Sequence, residues 1–504
     1  MVTLLREPAR PAAVREHRLA PWFAVAAVCF GAFMGQFDAS VVTLAFPALQ
    51  RQFAAGLAEV QWVSLAYLLV LIALLVPVGR WSDRIGRKLV YLYGFVVFTV
   101  ASAACGLATA LPVLIGLRVV QAVGAAMLQA NSVALVSTSA PATGRRAALA
   151  VQAAAQALGL ALGPVGGGVL ISLASWRWVF LMNVPVGIVA VIAGVYLLPR
   201  TRQRARARGS DVAGIVMLAT AAAGVLVALS SVSGLGWPAW AGGCCFLIAA
   251  AVGVALVRHE RRAVSPLIDM AMLGATGAGP ALAGAMCAYM VLFGPLVLIP
   301  QLLSAGAAGP LATGLLLAAL PAGFGIAALV TDRVLPRGLS NRSRCAAGGV
   351  LAACSLPALA VPLPAAVLAV PLGLAGMGLG LYIPANNAKI MNAIPAGDAA
   401  AAGGMVNIAR GLGTAIGVAA VTFGLHAGHQ LPVAQAGPMA AVAALLGAAL
   451  VAIATGTRPT WQASTGPTTL GGRADKEARG ERPQHARKQH RDRKDRPDPI
   501  RRPR

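Results

Sequence analysis

Asp38 is the acidic residue of this chain that lies within a long apolar run. The chain has sixteen Asp and Glu residues, and the others fall in loops, near the ends of apolar runs or in the C-terminal tail. A carboxylate at the centre of a bilayer costs about 2.5–3.5 kcal/mol on insertion scales, so a functional role is the default expectation. A low dielectric favours the protonated carboxyl, which lets such a group gain and lose a proton. The sequence therefore predicts a proton-binding site at Asp38; the alternative is a structural Asp that is permanently paired with a buried cation.

Arg118 lies in another apolar run and is a possible partner of Asp38. A helix that starts near Pro112 places Arg118 roughly 9 Å below that end, at 1.5 Å per residue. A helix that ends near Leu49 places Asp38 roughly 16 Å below the same level. An arginine side chain and a tilted helix can span this difference, so pairing is possible. The alternative is that the charged end of Arg118 snorkels to the interface.

Residues 79–88 form a strongly charged stretch between two apolar runs. They hold four cations, one acid and two glycines, which predicts a tight, solvated turn between two membrane helices. Glycines allow such a backbone to turn sharply, and the acid can pair with any of the neighbouring cations. The alternative is a simple positively charged anchor on one side of the membrane. The candidate residues of this turn are Gly79, Asp83, Arg84, Gly86, Arg87 and Lys88.

The composition predicts an all-α integral membrane protein. The chain is 58% hydrophobic and 11% charged, whereas soluble domains are about 45–50% apolar and about 25% charged. A membrane-spanning helix needs about 20 mainly apolar residues. By that criterion fourteen helices are expected, near 22–49, 60–79, 89–109, 112–134, 145–172, 178–198, 211–231, 238–257, 277–303, 309–331, 344–360, 363–385, 399–425 and 437–456.

The loops suggest how these helices are grouped and oriented. Lys and Arg concentrate in alternate loops, which predicts that both termini lie on the cytoplasmic side. A weak copy of the charged turn, at Asp332 and Arg333, predicts a second, related half. The expected segments are a cytoplasmic N-terminus (1–21), a six-helix bundle (22–199), a basic linker (200–210), two additional helices (211–258), a linker (259–276), a second six-helix bundle (277–456) and a disordered basic tail (457–504).

Several classes of function are not expected. The net charge is +25, but it lies mostly in short loops and the tail, so nucleic-acid binding is not indicated. The seven cysteines lie in or beside apolar runs without metal-ligand spacing, so we expect neither a disulfide framework nor a metal site. No nucleotide-binding loop of the G-x-x-x-x-G-K-[ST] type occurs, so neither ATP nor another cofactor is expected to supply energy, and an enzyme is not expected.

Three motifs resemble those of the major facilitator superfamily. Residues 79–88 are similar to its loop motif Gly-x-x-x-Asp-Arg-x-Gly-Arg-Lys, and residues 118–124 to its helix-4 motif, with Ala122 in place of a glycine. The fifth apolar run resembles the motif associated with antiporters through Gly159, Gly163, Pro164 and Gly167. Residues 37–47 and 176–185, with Asn407 and Arg410, are similar to the fourteen-helix drug/proton antiporter branch.

The resemblance implies two six-helix bundles with two extra helices between them. It implies that Asp83, Arg84 and Arg87 belong to a cytoplasmic gate, with Asp332 and Arg333 as the counterpart in the second half. Asp38 would be a protonation site, Arg118 would tune or relay the proton, and the bend at Gly163–Pro164 would favour exchange over symport. The residues expected to line a substrate cavity are Phe33, Gln36, Trp62 and Tyr67.

The expected function is therefore proton-driven export of lipophilic drugs, antibiotics or related metabolites. We expect a monomer in the bacterial plasma membrane, whose partners are the lipid bilayer, protons and a small lipophilic substrate. Some members of the family that this chain resembles use an additional intramembrane acid in the second half to recognise dicationic drugs. This chain has none there, so the resemblance implies lipophilic monocations or neutral amphiphiles rather than dications. The alternatives are a proton-coupled symporter for a small nutrient and a non-transporting membrane sensor or scaffold.

Overall fold

A computed structural model describes most of the chain. The described residues are 7, 10–141, 144–201, 211–233, 238–263, 273–274, 276–304, 309–334, 339–394, 399–429 and 435–460. Most of the two expected linkers and nearly all of the expected tail lie outside these residues. The side chains of Asp332 and Arg333, the expected second gate, also lie outside the described part.

The described residues are almost entirely helical. A 3₁₀ segment, Leu356–Ala360, adjoins the helices. The α-helices are α1 (Ala12–Arg15), α2 (Ala20–Leu44), α3 (Phe46–Phe53), α4 (Leu57–Val60), α5 (Trp62–Ile85), α6 (Arg87–Gly106), α7 (Leu111–Ser139), α8 (Arg145–Leu173), α9 (Arg177–Leu181), α10 (Asn183–Leu197), α11 (Val212–Val232), α12 (Ala239–Glu260), α13 (Ala278–Ser304), α14 (Pro310–Leu317), α15 (Ala319–Val334), α16 (Asn341–Ser355), α17 (Ala365–Ala393), α18 (Ala399–His429) and α19 (Ala436–Gly456).

Fourteen helical spans in the described residues are long and apolar enough to cross a membrane. The expected number of membrane helices is therefore confirmed. The first expected helix, 22–49, divides at Ala45 into α2 and α3. Pro47 lies in the first turn of α3, where its fixed φ and missing N–H are tolerated. The sequence pattern did not reveal this division because both pieces are apolar where they meet.

The expected ten-residue turn at 79–88 is wrong in its extent. Helix α5 continues through Gly79 to Ile85, and α6 begins at Arg87, so Gly86 alone lies outside a helix. Its φ is +124°, a value that glycine adopts readily and other residues rarely adopt. Charged residues are compatible with helix once the chain has left the apolar layer, so the helix outlasts its hydrophobic run. We call the end of the bundle that carries Arg80–Lys88 the basic face.

The helices pack first within two groups and then between them. In the first half α2 packs along α8, and α7 contacts both α5 and α6; in the second half α17 packs along α15 and α16, and α13 along α18 and α19. The halves meet where α14 crosses α8 and where α18 lies against α5. The two additional helices, α11 and α12, pack mainly on each other, and α11 also contacts α5 and α18.

Candidate functional site

Asp38 and Arg118 form a buried ion pair. The Arg118 Nη1 atom lies 2.7 Å from Asp38 Oδ2. Both side chains are buried, with exposed fractions of 0% and 1%. Arg118 therefore does not snorkel to the interface, and the pairing that the sequence left open is present. Because a buried charge without a partner is strongly destabilising, each residue requires the other in this state.

Three neutral side chains complete the site around the ion pair. Gln121 Nε2 donates to Asp38 Oδ1 at 3.1 Å and to Ser102 Oγ at 2.5 Å. Asn183 Nδ2 donates to the same Asp38 oxygen at 3.3 Å. Asp38 thus accepts from one charged and two neutral donors, which together occupy both of its oxygens.

The Arg118 guanidinium is fixed in position by further contacts. Its Nε donates to the carbonyl of Val63 at 2.9 Å, and its Nη1 also donates to Gln121 Oε1 at 2.5 Å. The centre of the guanidinium lies 4.1 Å from the centroid of the Tyr67 ring, within the range of a cation–π interaction. Through these residues the network joins α2, α5, α6, α7 and α10.

Two hydroxyl groups beside Arg118 have no hydrogen-bond partner among the described residues. They are Ser64 Oγ and Tyr67 Oη, and both are buried. They border a cavity of about 10 Å³ that Arg118, Phe293 and Thr414 also line. A space of about this size holds at most one water molecule. The ion pair thus has a small polar space on the side that faces the second half.

A central cavity between the halves adjoins this space. Its volume is about 30 Å³, which is room for a few water molecules and far below the 300–1,000 Å³ of small-molecule sites. The two cavities share Ala39, Tyr67, Leu68, Phe293 and Thr414. The structure is therefore contracted around the centre. The other residues that line the central cavity are Gly35, Gln36, Leu71, Ile72, Leu75, Gln129, Asn407, Arg410 and Gly411.

Two of the four expected cavity residues line this space. Gln36 and Tyr67 do so. Phe33 is not among the lining residues; its ring lies 5.8 Å from that of Phe37. Trp62, the first residue of α5, is also absent from the lining and packs against the hydrophobic core. Aromatic character alone could not show which faces of the helices meet at the centre.

Arg410 connects the two halves at the central cavity. Its Nη2 atom donates to Gln129 Oε1 at 2.5 Å, which joins α18 to α7. Arg410 is the one charged side chain among the described residues that line the cavity. Arg410 was noted only for its resemblance to the fourteen-helix branch, and neither Arg410 nor Gln129 was expected to line the cavity. The sequence of one helix does not show which of its residues face the partner helix.

The glycines of the antiporter-like motif form the surface of α8 that contacts α2. A Cβ atom on Gly159 would lie 3.1 Å from Phe37 N, and one on Gly167 would lie 2.7 Å from Val41 Cγ2. A Cβ on Gly163 would overlap the Ser40 side chain. These contacts lie beside Asp38 on α2. Helix α8 continues through Pro164, and Gly168, one turn later, packs on α14 of the other half.

The charged residues at the basic face make contacts within the first half. Arg87 Nε donates to Asp83 Oδ1 at 2.6 Å. Lys88 is fully buried, and its Nζ donates to the carbonyls of Val195 at 2.9 Å and Leu198 at 2.6 Å, at the end of α10. The sequence predicted a solvated Lys88. The correction arises because α10 ends beside α6, and its last carbonyls need donors.

The two additional helices are joined at the basic face by Asp211. Its Oδ1 accepts from Gly214 N at 2.9 Å, which caps α11, and lies 2.9 Å from His259 Nε2 of α12. Burial acts to raise the pKa of Asp211, but the hydrogen bond from Gly214 and the neighbouring His259 outweigh it and lower the pKa. Asp211 is therefore a structural clamp between α11 and α12. In the described part of the chain, no group of three His, Cys, Asp or Glu side chains could hold a metal ion.

Comparison with known proteins shows the family to which this chain belongs. The family model described as Major Facilitator Superfamily matches residues 28–418. Multidrug resistance protein Stp of Mycobacterium tuberculosis is 31% identical over 77% of this chain and 73% of its own length. The methylenomycin A resistance protein of Streptomyces coelicolor is 30% identical over 80% of this chain and 85% of its own. The chain spans 46% of the riboflavin transporter RibZ of Clostridioides difficile, at 32% identity over 42% of this chain.

The fold is similar to that of solved transporters. The xylose transporter XylE from E. coli, solved in an inward-open conformation, aligns with a TM-score of 0.60 over 88% of this chain and 98% of its own. The sequence identity is 13%, so this similarity concerns the fold. With the family model and the related sequences, it shows that the chain belongs to the major facilitator superfamily and is a multi-pass membrane transporter.

Proposed function

We propose that this protein is a proton-coupled antiporter that exports lipophilic drugs, antibiotics or related metabolites. The observation that carries the proposal is the buried ion pair between Asp38 and Arg118, placed beside the central cavity. The names of the related proteins, which concern multidrug and antibiotic resistance, support export of such compounds. The proton gradient is the proposed energy source.

Protonation of Asp38 is the proposed coupling step. A proton on Asp38 Oδ2 neutralises the carboxylate and turns an acceptor of the Arg118 hydrogen bond into a donor group. The guanidinium then lacks its counter-charge in a low-dielectric site, which is strongly unfavourable. The network around Arg118 must therefore rearrange or admit water. Because the network joins five helices of the first half, this rearrangement shifts their packing.

The glycine surface of α8 supports the link between this step and alternating access. Helix α2 carries Asp38 and packs against Gly159, Gly163 and Gly167 of α8, while α8 contacts α14 of the other half. Close contacts of this kind transmit small shifts because packed helices have few alternative arrangements. A change in α2 thus reaches the interface between the halves, which rock about the central cavity.

The basic face is proposed to lie in the cytoplasm of a bacterial cell. The Lys and Arg residues of the short loops favour this orientation, with both termini inside. In this orientation the Asp83–Arg87 pair belongs to the cytoplasmic gate. Asp83 can exchange its partner within the first half for one in the second half when the halves move.

Gradient-driven transport in membrane vesicles tests the proposal. Inside-out vesicles that contain the wild-type protein should accumulate members of a panel of dyes and antibiotics when the interior is acidified. Asp38→Asn, which removes the titrating group, should abolish this accumulation, while an exposed control, Arg51→Gln, should not. Accumulation by Asp38→Asn at the wild-type rate would contradict the assignment of Asp38. Accumulation only under the reversed gradient would show symport.

A further inference from the structure

The charge around the central cavity is unbalanced. Asp38 and Arg118 neutralise each other through their ion pair. Arg410 lines the cavity, and within the described part of the chain no carboxylate lies within ion-pair distance of it. The centre of the transporter therefore has an excess of one positive charge. An ionisable side chain inside a membrane protein is a candidate functional site by default. Gln129 gives Arg410 a neutral acceptor, and a ligand can supply the counter-charge or a further acceptor.

The residues around Arg410 define the shape of a suitable ligand. Asn407, Gln36 and Thr414 present neutral polar groups, and Tyr67 has a buried hydroxyl without a hydrogen-bond partner in the described residues. Gln129, the hydrogen-bond partner of Arg410, also lines the cavity, with the small residues Gly35, Ala39 and Gly411. The large apolar side chains of the lining are Leu68, Leu71, Ile72, Leu75 and Phe293. A lining that combines a cation and hydrogen-bond donors with large apolar side chains fits an amphiphile whose head carries oxygen acceptors.

Building on the proposed export function, we propose that Arg410 is the residue that selects substrates with an oxygen-acceptor head group and excludes permanent cations. The head group is a carboxylate, a phenolate or a carbonyl, and its oxygen binds the Arg410 guanidinium. A quaternary ammonium group would meet the same positive charge and is rejected. Of the two substrate classes expected from the sequence, this retains neutral amphiphiles and removes lipophilic monocations.

Substrate binding also has a structural consequence at the interface between the halves. The Arg410 Nη2 atom that would bind the substrate now donates to Gln129 Oε1 on α7. A substrate oxygen takes the place of this amide oxygen, so binding releases a hydrogen bond that holds α18 to α7. The contracted cavity of about 30 Å³ must widen for the same event. Gln129 is thus a competitor that occupies Arg410 in the absence of substrate.

Equilibrium binding of three matched probes tests this proposal. The probes are pyrenebutyrate, its methyl ester and a pyrenebutyl-trimethylammonium ion, which share one apolar body. Binding to the purified, detergent-solubilised full chain is measured by fluorescence without a proton gradient. The carboxylate and the ester should bind at least about tenfold more tightly than the cation, since a hydrogen bond to a charged group contributes about tenfold to a hundredfold in affinity.

Variants of both partners separate recognition from folding. Arg410→Gln should weaken binding of the two probes with oxygen acceptors, pyrenebutyrate and its methyl ester (the acceptor probes), about tenfold to a hundredfold. It should leave binding of the trimethylammonium probe unchanged or make it tighter. Arg410→Lys, which keeps the charge and loses the planar fork, should be intermediate. Gln129→Leu should bind the acceptor probes as tightly as wild type or more tightly, and the exposed Arg51→Gln should match wild type.

Four results would overturn the proposal. They are equal or tighter binding of the cation to wild type, an equal loss of all three probes in Arg410→Gln, weaker acceptor binding in Gln129→Leu, and no binding of any probe to wild type. Because these measurements involve no gradient, they do not depend on proton coupling. Failure of Asp38→Asn to lose gradient-driven transport would overturn the antiport mechanism while leaving the Arg410 result intact.

Discussion

Replacing Asp38 with Asn separates the electrostatic role of the ion pair from its shape. The substitution leaves the Arg118 charge buried without a counter-charge, which costs about 3–5 kcal/mol when one partner of a buried pair is removed. The new amide nitrogen also cannot accept from its surroundings, whereas Asp38 accepts from Gln121 and Asn183 on Oδ1 and from Arg118 on Oδ2. We therefore expect the free energy of unfolding to fall by about 3–5 kcal/mol.

A double variant gives the matched control. Asp38→Asn with Arg118→Met removes both charges, and replacing a buried pair by neutral side chains of similar volume is often neutral for stability. The double variant should regain most of the stability in a denaturation titration of the purified protein. Proton-coupled transport should be absent in both variants, because neither has a titrating carboxyl. A loss below about 1 kcal/mol in the single variant, or coupled transport in the double variant, would refute this reasoning.

Three further predictions concern the packing and the basic face. Gly163→Val should abolish transport, because its side chain would overlap Ser40, whereas Gly116→Val, with nothing within 4 Å of its added Cβ, should retain transport in the same vesicle assay. Lys88→Met should lower the free energy of unfolding by about 1–3 kcal/mol, because it leaves the buried carbonyl of Leu198 and the partly buried carbonyl of Val195 without this donor; an unchanged denaturation midpoint would contradict this. Asp211→Asn should destabilise the protein by about 0.3–1 kcal/mol, because Asn is an equally good N-cap but lacks the negative charge that favours a helix N-terminus. Because the pKa of Asp211 is lowered in the folded chain, its stabilisation is present above the ordinary Asp pKa of about 3.9 and lost as the pH falls below it, so the two proteins should converge in stability at low pH.

The helical architecture was predictable from the sequence, because every membrane-spanning helix needs a long apolar run. Each needs a run of about 20 apolar residues, and the charged stretches between the runs mark where the chain leaves the apolar layer. The residues at which the helices end were less predictable. Helix α5 outlasts its apolar run by several residues, because charge does not end a helix outside the membrane. The position where it does end, Gly86, depends on a backbone conformation that favours glycine.

The candidate site could be predicted only in part from the sequence. Asp38 was predictable because a carboxylate in an apolar run is costly and therefore conspicuous. The depths of the two residues in the membrane allowed Asp38 to pair with Arg118. Whether they meet depends on the rotation of each helix about its own axis, which the sequence does not give. The contribution of Asn183 to the same site depends on the packing of α10 against α2. Arg410 and Gln129 come from different halves, and no periodicity within one helix shows which residues face each other across an interface.

Proton movement driven by the substrate tests the proposed exchange most directly. Purified protein is reconstituted in liposomes that contain a trapped pH-sensitive dye, with no initial pH gradient, and a transported compound is added outside. The antiport mechanism predicts that inward movement of the substrate drives protons outward and raises the internal pH. With Asp38→Asn, addition of the substrate should leave the internal pH unchanged. Acidification of the interior, which indicates symport, or a wild-type signal from Asp38→Asn would contradict the account.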